Sequence, residues 1–152
     1  MTAPAVSLVT VVEFFAHGIP KPQGSKRAFV HPHTRRAVVV EAAGAALKDW
    51  RHDTKLTALS AMAGAPPVPA DVGVVVRIGF VMPRPKSTPK TKPTPLATKK
   101  PDLDKLIRGV CDAMTGVVYT DDSQVVSFDV WKRIAEEGEP TGAEVTVERL
   151  AA

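Results

Sequence analysis

The sequence predicts an α+β fold: a single domain in which a mixed β-sheet carries two main helices packed on it. Three observations lead there. The chain has 152 residues, the size of one domain spanning 1–152. Apolar residues are 44% of it, enough for one core. Short β-branched runs alternate with two stretches of helical period.

The elements follow in order. Residues 8–19 are β-rich and stop at Gly18-Ile19-Pro20, which predicts a strand. Residues 21–36 are polar and turn-rich. Short apolar runs at 28–30 and 38–40 flank His31-Pro32 and read as a small hairpin or irregular ribbon. Residues 41–62 have Ala-rich helical spacing through Ala42, Ala45, Ala46, Trp50 and Leu56, closed by Gly64 and Pro66-Pro67-Val68-Pro69. Residues 72–82 are apolar apart from Arg77, the pattern of a central strand covered on both faces. In 102–114, Leu103, Leu106, Ile107, Val110, Cys111 and Met114 form one helical stripe, with Asp104, Arg108 and Asp112 on the opposite flank. Strands over 125–133 and 143–150 complete the chain, with a polar turn between them.

Residues 83–98 mix Pro, Lys and Thr without period, which predicts an extended, mobile, basic loop. The net charge of +4 is a modest bias toward polyanions. It is focused: Arg84, Lys86, Lys90, Lys92, Lys99 and Lys100 lie between Met82 and Lys100 with no acid among them. The segment reads either as a solubilising linker or as an arm clasping DNA through sequence-blind, salt-sensitive contacts. Its continuity with the acidic residues that follow favours the arm. The single Cys111 forms no internal disulfide, and no run approaches the roughly 20 apolar residues of a membrane span. A reducing, cytoplasmic setting without a membrane partner is expected.

The chemistry-bearing residues are aspartates. Pro101 and the preference of Asp for helix N-caps place Asp102 at the helix mouth and Asp104 in its first turn, where two carboxylates can converge on one cation. Capping alone also explains such a pair, at about 1 kcal/mol with no site implied. Asp121-Asp122, ahead of an apolar strand, is by itself an ordinary turn. Together the pairs offer hard oxygen ligands of the kind that hold Mg²⁺. Zinc is disfavoured, because His17, His31, His33 and His52 have no ligand spacing and Cys111 stands alone.

Lys100-Pro101-Asp102-Leu103-Asp104-Lys105, Arg108, Asp112-Ala113-Met114-Thr115-Gly116 and Asp121-Asp122-Ser123-Gln124-Val125 resemble the RusA-type Holliday junction resolvases common in phages and prophages. Pro20-Lys21-Pro22 with Gly24-Ser25-Lys26-Arg27 is similar to a segment preceding a hairpin in that family. The resemblance implies a homodimeric endonuclease that uses Mg²⁺, with Mn²⁺ as a substitute and no small-molecule cofactor. It would resolve four-way DNA junctions by paired nicks inside a bacterial host cell, whether host- or phage-encoded. The family's metal ligands match Asp102, Asp104 and Asp122, with Asp121 beside them. The family often has a catalytic lysine where this chain has Arg108, which keeps the charge but is no proton-transfer group. Lys105 is a candidate to compensate. Lys26, Arg27, Arg84, Lys86, Lys90, Lys92, Lys99, Lys100 and Lys105 are the candidate DNA contacts. A nuclease for flaps or other branched DNA, and a non-catalytic basic DNA-binding protein, stand as alternatives.

Overall fold

The run of β-branched residues at 74–76 opens an interior strand of the sheet. In the computed structural model, which describes residues 6–24, 26–41 and 44–151, strands β1 (Leu8–His17), β4 (Val74–Met82), β5 (Val125–Ile134) and β6 (Gly142–Leu150) form one mixed sheet of order β1-β6-β4-β5. Strand β6 runs antiparallel to both its neighbours, whereas β4 and β5 are parallel. Parallel strands cannot be joined by a hairpin, so the chain crosses between them through residues 83–101 and helix α2 (Leu103–Met114). Every residue of β4 except Arg77 is buried, as the continuous apolar run predicts.

Strand alternation divides β4 into two faces. Val74, Val76, Ile78, Phe80 and Met82 join the core beneath the helices. On the other face Arg77 reaches Glu148 of β6 at 2.6 Å and Asp129 of β5 at 2.9 Å. There Gly79 leaves room for an indole, since a Cβ at this position would collide with Trp131.

Helix α1 (Gly44–Met62) buries Leu47, Trp50, Thr54, Ala58 and Met62, a stripe at helical spacing packed on β1 and α2. It begins later than the expected residue 41, because Glu41 ends strand β3 (Ala37–Glu41), opposite Lys26 of β2 (Lys26–Val30). The expected helix positions 42 and 43 lie outside the described residues. Strands β2 and β3 form a two-stranded ribbon separate from the main sheet. In α2, Leu106, Val110 and Met114 are fully buried, and the segment after β1 lies along this helix. The Gln23 N–H donates to the Lys105 carbonyl at 3.0 Å, and a Cβ on Gly109 would meet the Lys21 carbonyl oxygen at 3.2 Å.

Candidate functional site

Helix α2 opens at Asp102, its N-cap, in extended geometry. The Asp102 carboxylate makes no capping hydrogen bond and lies 3.8 Å from the Lys105 ammonium. Asp104 is exposed in the first turn, and Arg108 is exposed one turn further on. The N-terminal end of a helix favours negative charge, so two solvent-facing carboxylates are tolerated there. The peptide before Asp102, Lys100–Pro101, is cis.

Lys132, which sequence reasoning missed, holds that peptide from below. Its ammonium donates to the Lys99 carbonyl at 2.9 Å and the Pro101 carbonyl at 2.8 Å. The available signal was a lone cation on the apolar side of β5, alternating with Phe128, Val130 and Ile134. Beside it opens a groove of about 870 Å³ between the segment after β1, the 83–101 crossover and the mouth of α2. Ile19, Met82 and Ile134 line it, and Lys21, Lys99, Lys100, Lys105 and Lys132 surround its one acid, Asp102. A cationic, partly apolar cleft that ends at carboxylates suits a polyanion better than a neutral ligand.

The crossover segment has no regular secondary structure, yet its base is pinned. The Arg84 guanidinium donates to the Thr94 hydroxyl at 2.6 Å and to the Lys92 and Pro89 carbonyls at 2.8 and 3.1 Å. The Thr94 hydroxyl donates to Glu136 at 2.5 Å, and Lys90 lies 3.7 Å from Glu137. Arg84 is thus occupied by the segment itself, whereas Lys86, Lys90, Lys92, Lys99 and Lys100 are exposed. The side chains of Lys26 and Arg27, the other expected DNA contacts, lie outside the described residues.

The second acidic pair is built differently. Asp121 caps the single 3-10 turn Asp122–Gln124, accepting the Ser123 N–H at 2.9 Å. Gln124 is buried and fastens this turn to the chain before β4. Its amide oxygen accepts the N–H groups of Thr120 and Asp121 at 2.7 and 2.8 Å. Its amide nitrogen donates to the Pro69 and Val72 carbonyls at 2.7 and 2.9 Å, and more weakly to Val68 at 3.3 Å. The Ser123 N–H holds Asp121 below the ordinary carboxylate range, while the contact with Asp121 pushes Asp122 up. Asp112 adds a smaller upward push on Asp122 and lies 3.8 Å from Arg51.

The two halves of the expected ligand set stand on different elements, Asp102 and Asp104 at the mouth of α2 and Asp121 and Asp122 ahead of β5. Asp122 precedes β5, whereas Lys132, which grips the peptide before Asp102, lies seven residues beyond Val125, about 23 Å along the strand at roughly 3.3 Å per residue. On α2, Asp104 and Asp112, whose charge reaches Asp122, are about 12 Å apart along the axis at 1.5 Å per residue. Among the described residues no group of three or more His, Cys, Asp or Glu side chains is placed to hold a metal ion. The crossover starts α2 beyond the end of β4 and returns the chain to the start of β5, its parallel neighbour.

A mixed sheet thus carries a lysine-lined groove that reaches the Asp102 carboxylate at the mouth of α2. The family model described as endodeoxyribonuclease RusA matches residues 20–148. The chain belongs to the RusA endodeoxyribonuclease family. Over 40 residues it is 50% identical to an uncharacterized protein of Bacillus subtilis (strain 168), YqaN, a match covering 26% of this chain and 28% of that protein. Among the described residues no helix is long and apolar enough to cross a membrane.

Proposed function

We propose that this chain is a divalent-metal-dependent endonuclease that resolves four-way DNA junctions by paired nicks, working as a homodimer in the cytoplasm of a bacterial host. The observation that carries this reading is the lysine-lined groove that reaches Asp102 at the mouth of α2, in a chain of the RusA family. Branched DNA is its partner, and no small-molecule cofactor is required.

Asp102 and Asp104 fit a hard divalent ion by donor chemistry, since both carboxylates stand at a solvent-facing helix mouth and neither is spent on capping. They supply half of a ligand set; Asp122 is the remaining candidate, with Asp121 kept to its cap. Mg²⁺, with Mn²⁺ as a substitute, would supply Lewis acidity and an oriented water. Lys21, Lys99, Lys100 and Lys105 hold the phosphate backbone along the groove. Lys132 fixes the peptide that delivers Asp102. Arg108 faces the phosphate as a permanent charge rather than a proton carrier.

The test is cleavage of a synthetic four-way junction with Mg²⁺, with Mn²⁺ and with EDTA, beside a flap of the same sequence. Metal-dependent paired nicks in the junction are expected, and Asp104→Asn should abolish them while gel-shift affinity stays equal or rises. Cleavage in EDTA, or normal cleavage by Asp104→Asn, refutes the reading. Preference for the flap reassigns the substrate.

A further inference from the structure

Resting on the reading of this chain as a nuclease for branched DNA, we propose that the β2–β3 ribbon is a finger for the major groove of a duplex arm. Arg35 and Arg36 at its tip meet the edges of the base pairs.

The groove at α2 and its carboxylates leave this ribbon without a task. It forms a two-stranded sheet of its own, and among the described residues its substantial contacts are between its two strands. Strand pairing sets Phe29 against Val38 and Val30 against Ala37, on alternate faces. Phe29 is 40% and Val30 65% exposed, and Ala37 is exposed as well, so both faces stand in solvent. A lone two-stranded hairpin is marginal in water, yet the tip of this one is tied. The His31 N–H donates to the Arg36 carbonyl at 2.9 Å, and the Arg35 N–H to the His31 carbonyl at 2.8 Å. His31 Nδ1 accepts the His33 and Thr34 N–H groups at 3.2 and 3.3 Å. A tip held in this way loses little freedom on binding.

What the tip carries identifies its partner. Residues 26–40 include Lys26, Arg27, Arg35 and Arg36 and no acid; Glu41 stands at the base, opposite Lys26. The arginines of the main sheet are spent on carboxylates, Arg77 on Glu148 and Arg133 on Glu139, whereas Arg35 and Arg36 face solvent. Arg35 also sits at φ 54°, a left-handed position that glycine takes without steric cost. An arginine kept there against the backbone preference points to a use for its guanidinium. A second copy of the ribbon would meet it with like charge; a polyanion would not. Dimensions then select the groove. Two strands about 5 Å apart, with their side chains, fit a major groove about 12 Å wide, while a minor groove of about 6 Å excludes them. Five residues per strand reach about 17 Å, more than the groove's depth of about 8.5 Å. There arginine donates bidentately to guanine O6 and N7, and apolar side chains such as Val30 meet thymine methyl groups.

The experiment measures binding of a linear duplex and of a four-way junction in EDTA, over a range of salt, for the parent, Arg35→Gly and Arg36→Ala. Arg35→Gly relieves the left-handed position, so the variant should fold by circular dichroism and melt no lower than the parent. Each variant should bind both DNAs at least about fivefold more weakly. Prior methylation of guanine N7, which lies in the major groove, should weaken binding by the parent and lose that effect in the variants. Binding by both variants within about twofold of the parent overturns the proposal, as does methylation without effect on the parent. Weaker binding with a reduced salt slope and no methylation effect marks phosphate contacts alone and also overturns it. Should Arg35→Gly misfold, Arg36→Ala decides. Junction cleavage with Mg²⁺ is scored separately. Methylation-sensitive duplex binding without any cleavage keeps the ribbon's role and removes the nuclease reading, and cleavage with unaltered binding by the variants does the reverse.

Discussion

Gln124 offers the sharpest test of how the acidic turn is held. Gln124→Met keeps the length of the side chain and removes both polar ends. The amide now satisfies the N–H groups of Thr120 and Asp121 and three carbonyls in the chain before β4. In the variant the two N–H groups lose their acceptor inside a segment where Tyr119 and Val118 are fully buried. Each stranded group costs about 1–3 kcal/mol. The Val68 carbonyl keeps the Thr120 hydroxyl at 2.9 Å, and Thr120 to Ser123 are exposed enough for water to assist. The net loss should therefore be about 2–4 kcal/mol, a large part of the roughly 5–15 kcal/mol that keeps a domain folded. Urea unfolding measures it, with the midpoint falling by about 1–2 M. Gln124→Glu keeps the acceptor oxygen but sets a carboxylate against the Pro69 and Val72 carbonyls, so at neutral pH it should be at least as unstable. Its carboxyl is raised in the folded state, so its stability relative to the parent should recover as pH falls below the unfolded value of about 4.3 and be lost as pH rises. A Met variant within about 0.5 kcal/mol of the parent would refute the claim that this amide fixes the turn, a shift no larger than most surface substitutions produce.

Three further predictions follow from the site. Lys132→Met should lower single-turnover nicking at limiting Mg²⁺ by at least about tenfold while leaving DNA affinity within a few-fold, since the peptide before Asp102 loses its clamp; unchanged metal dependence makes Lys132 a mere strand residue. Arg108→Lys should keep substantial cleavage, and Arg108→Ala should lose at least about tenfold, a barrier change of about 1.4 kcal/mol, in single-turnover assays at saturating Mg²⁺; an Ala variant as fast as the parent removes Arg108 from the chemistry. Burial raises the Cys111 thiol to about 11, so native-state alkylation should be slow at neutral pH and keep rising up to about that value. Rapid labelling at pH 8 would contradict its burial.

The sequence by itself determined the elements and the family of chemistry. The apolar run at 74–82, interrupted only by Arg77, reads as a covered strand, and the Leu103–Met114 stripe reads as an amphipathic helix, because each burial pattern is local. Asp102 at the helix mouth was legible for the same reason, since Pro101 and N-cap preference act over adjacent residues. What only the tertiary structure decided is where these pieces stand relative to one another. Nothing near Lys132 in sequence marks it as the clamp on the peptide before Asp102, because the two are brought together by strand pairing. The late start of α1 has the same origin: Glu41 is taken by a cross-strand partner, Lys26. The spacing of the aspartates suggested one cluster, but which side chains meet depends on the parallel pairing of β4 and β5, with α2 in the crossover between them. Sequence spacing measures distance along the chain, and a crossover between parallel strands sets the distance in space by long-range pairing that no local pattern encodes.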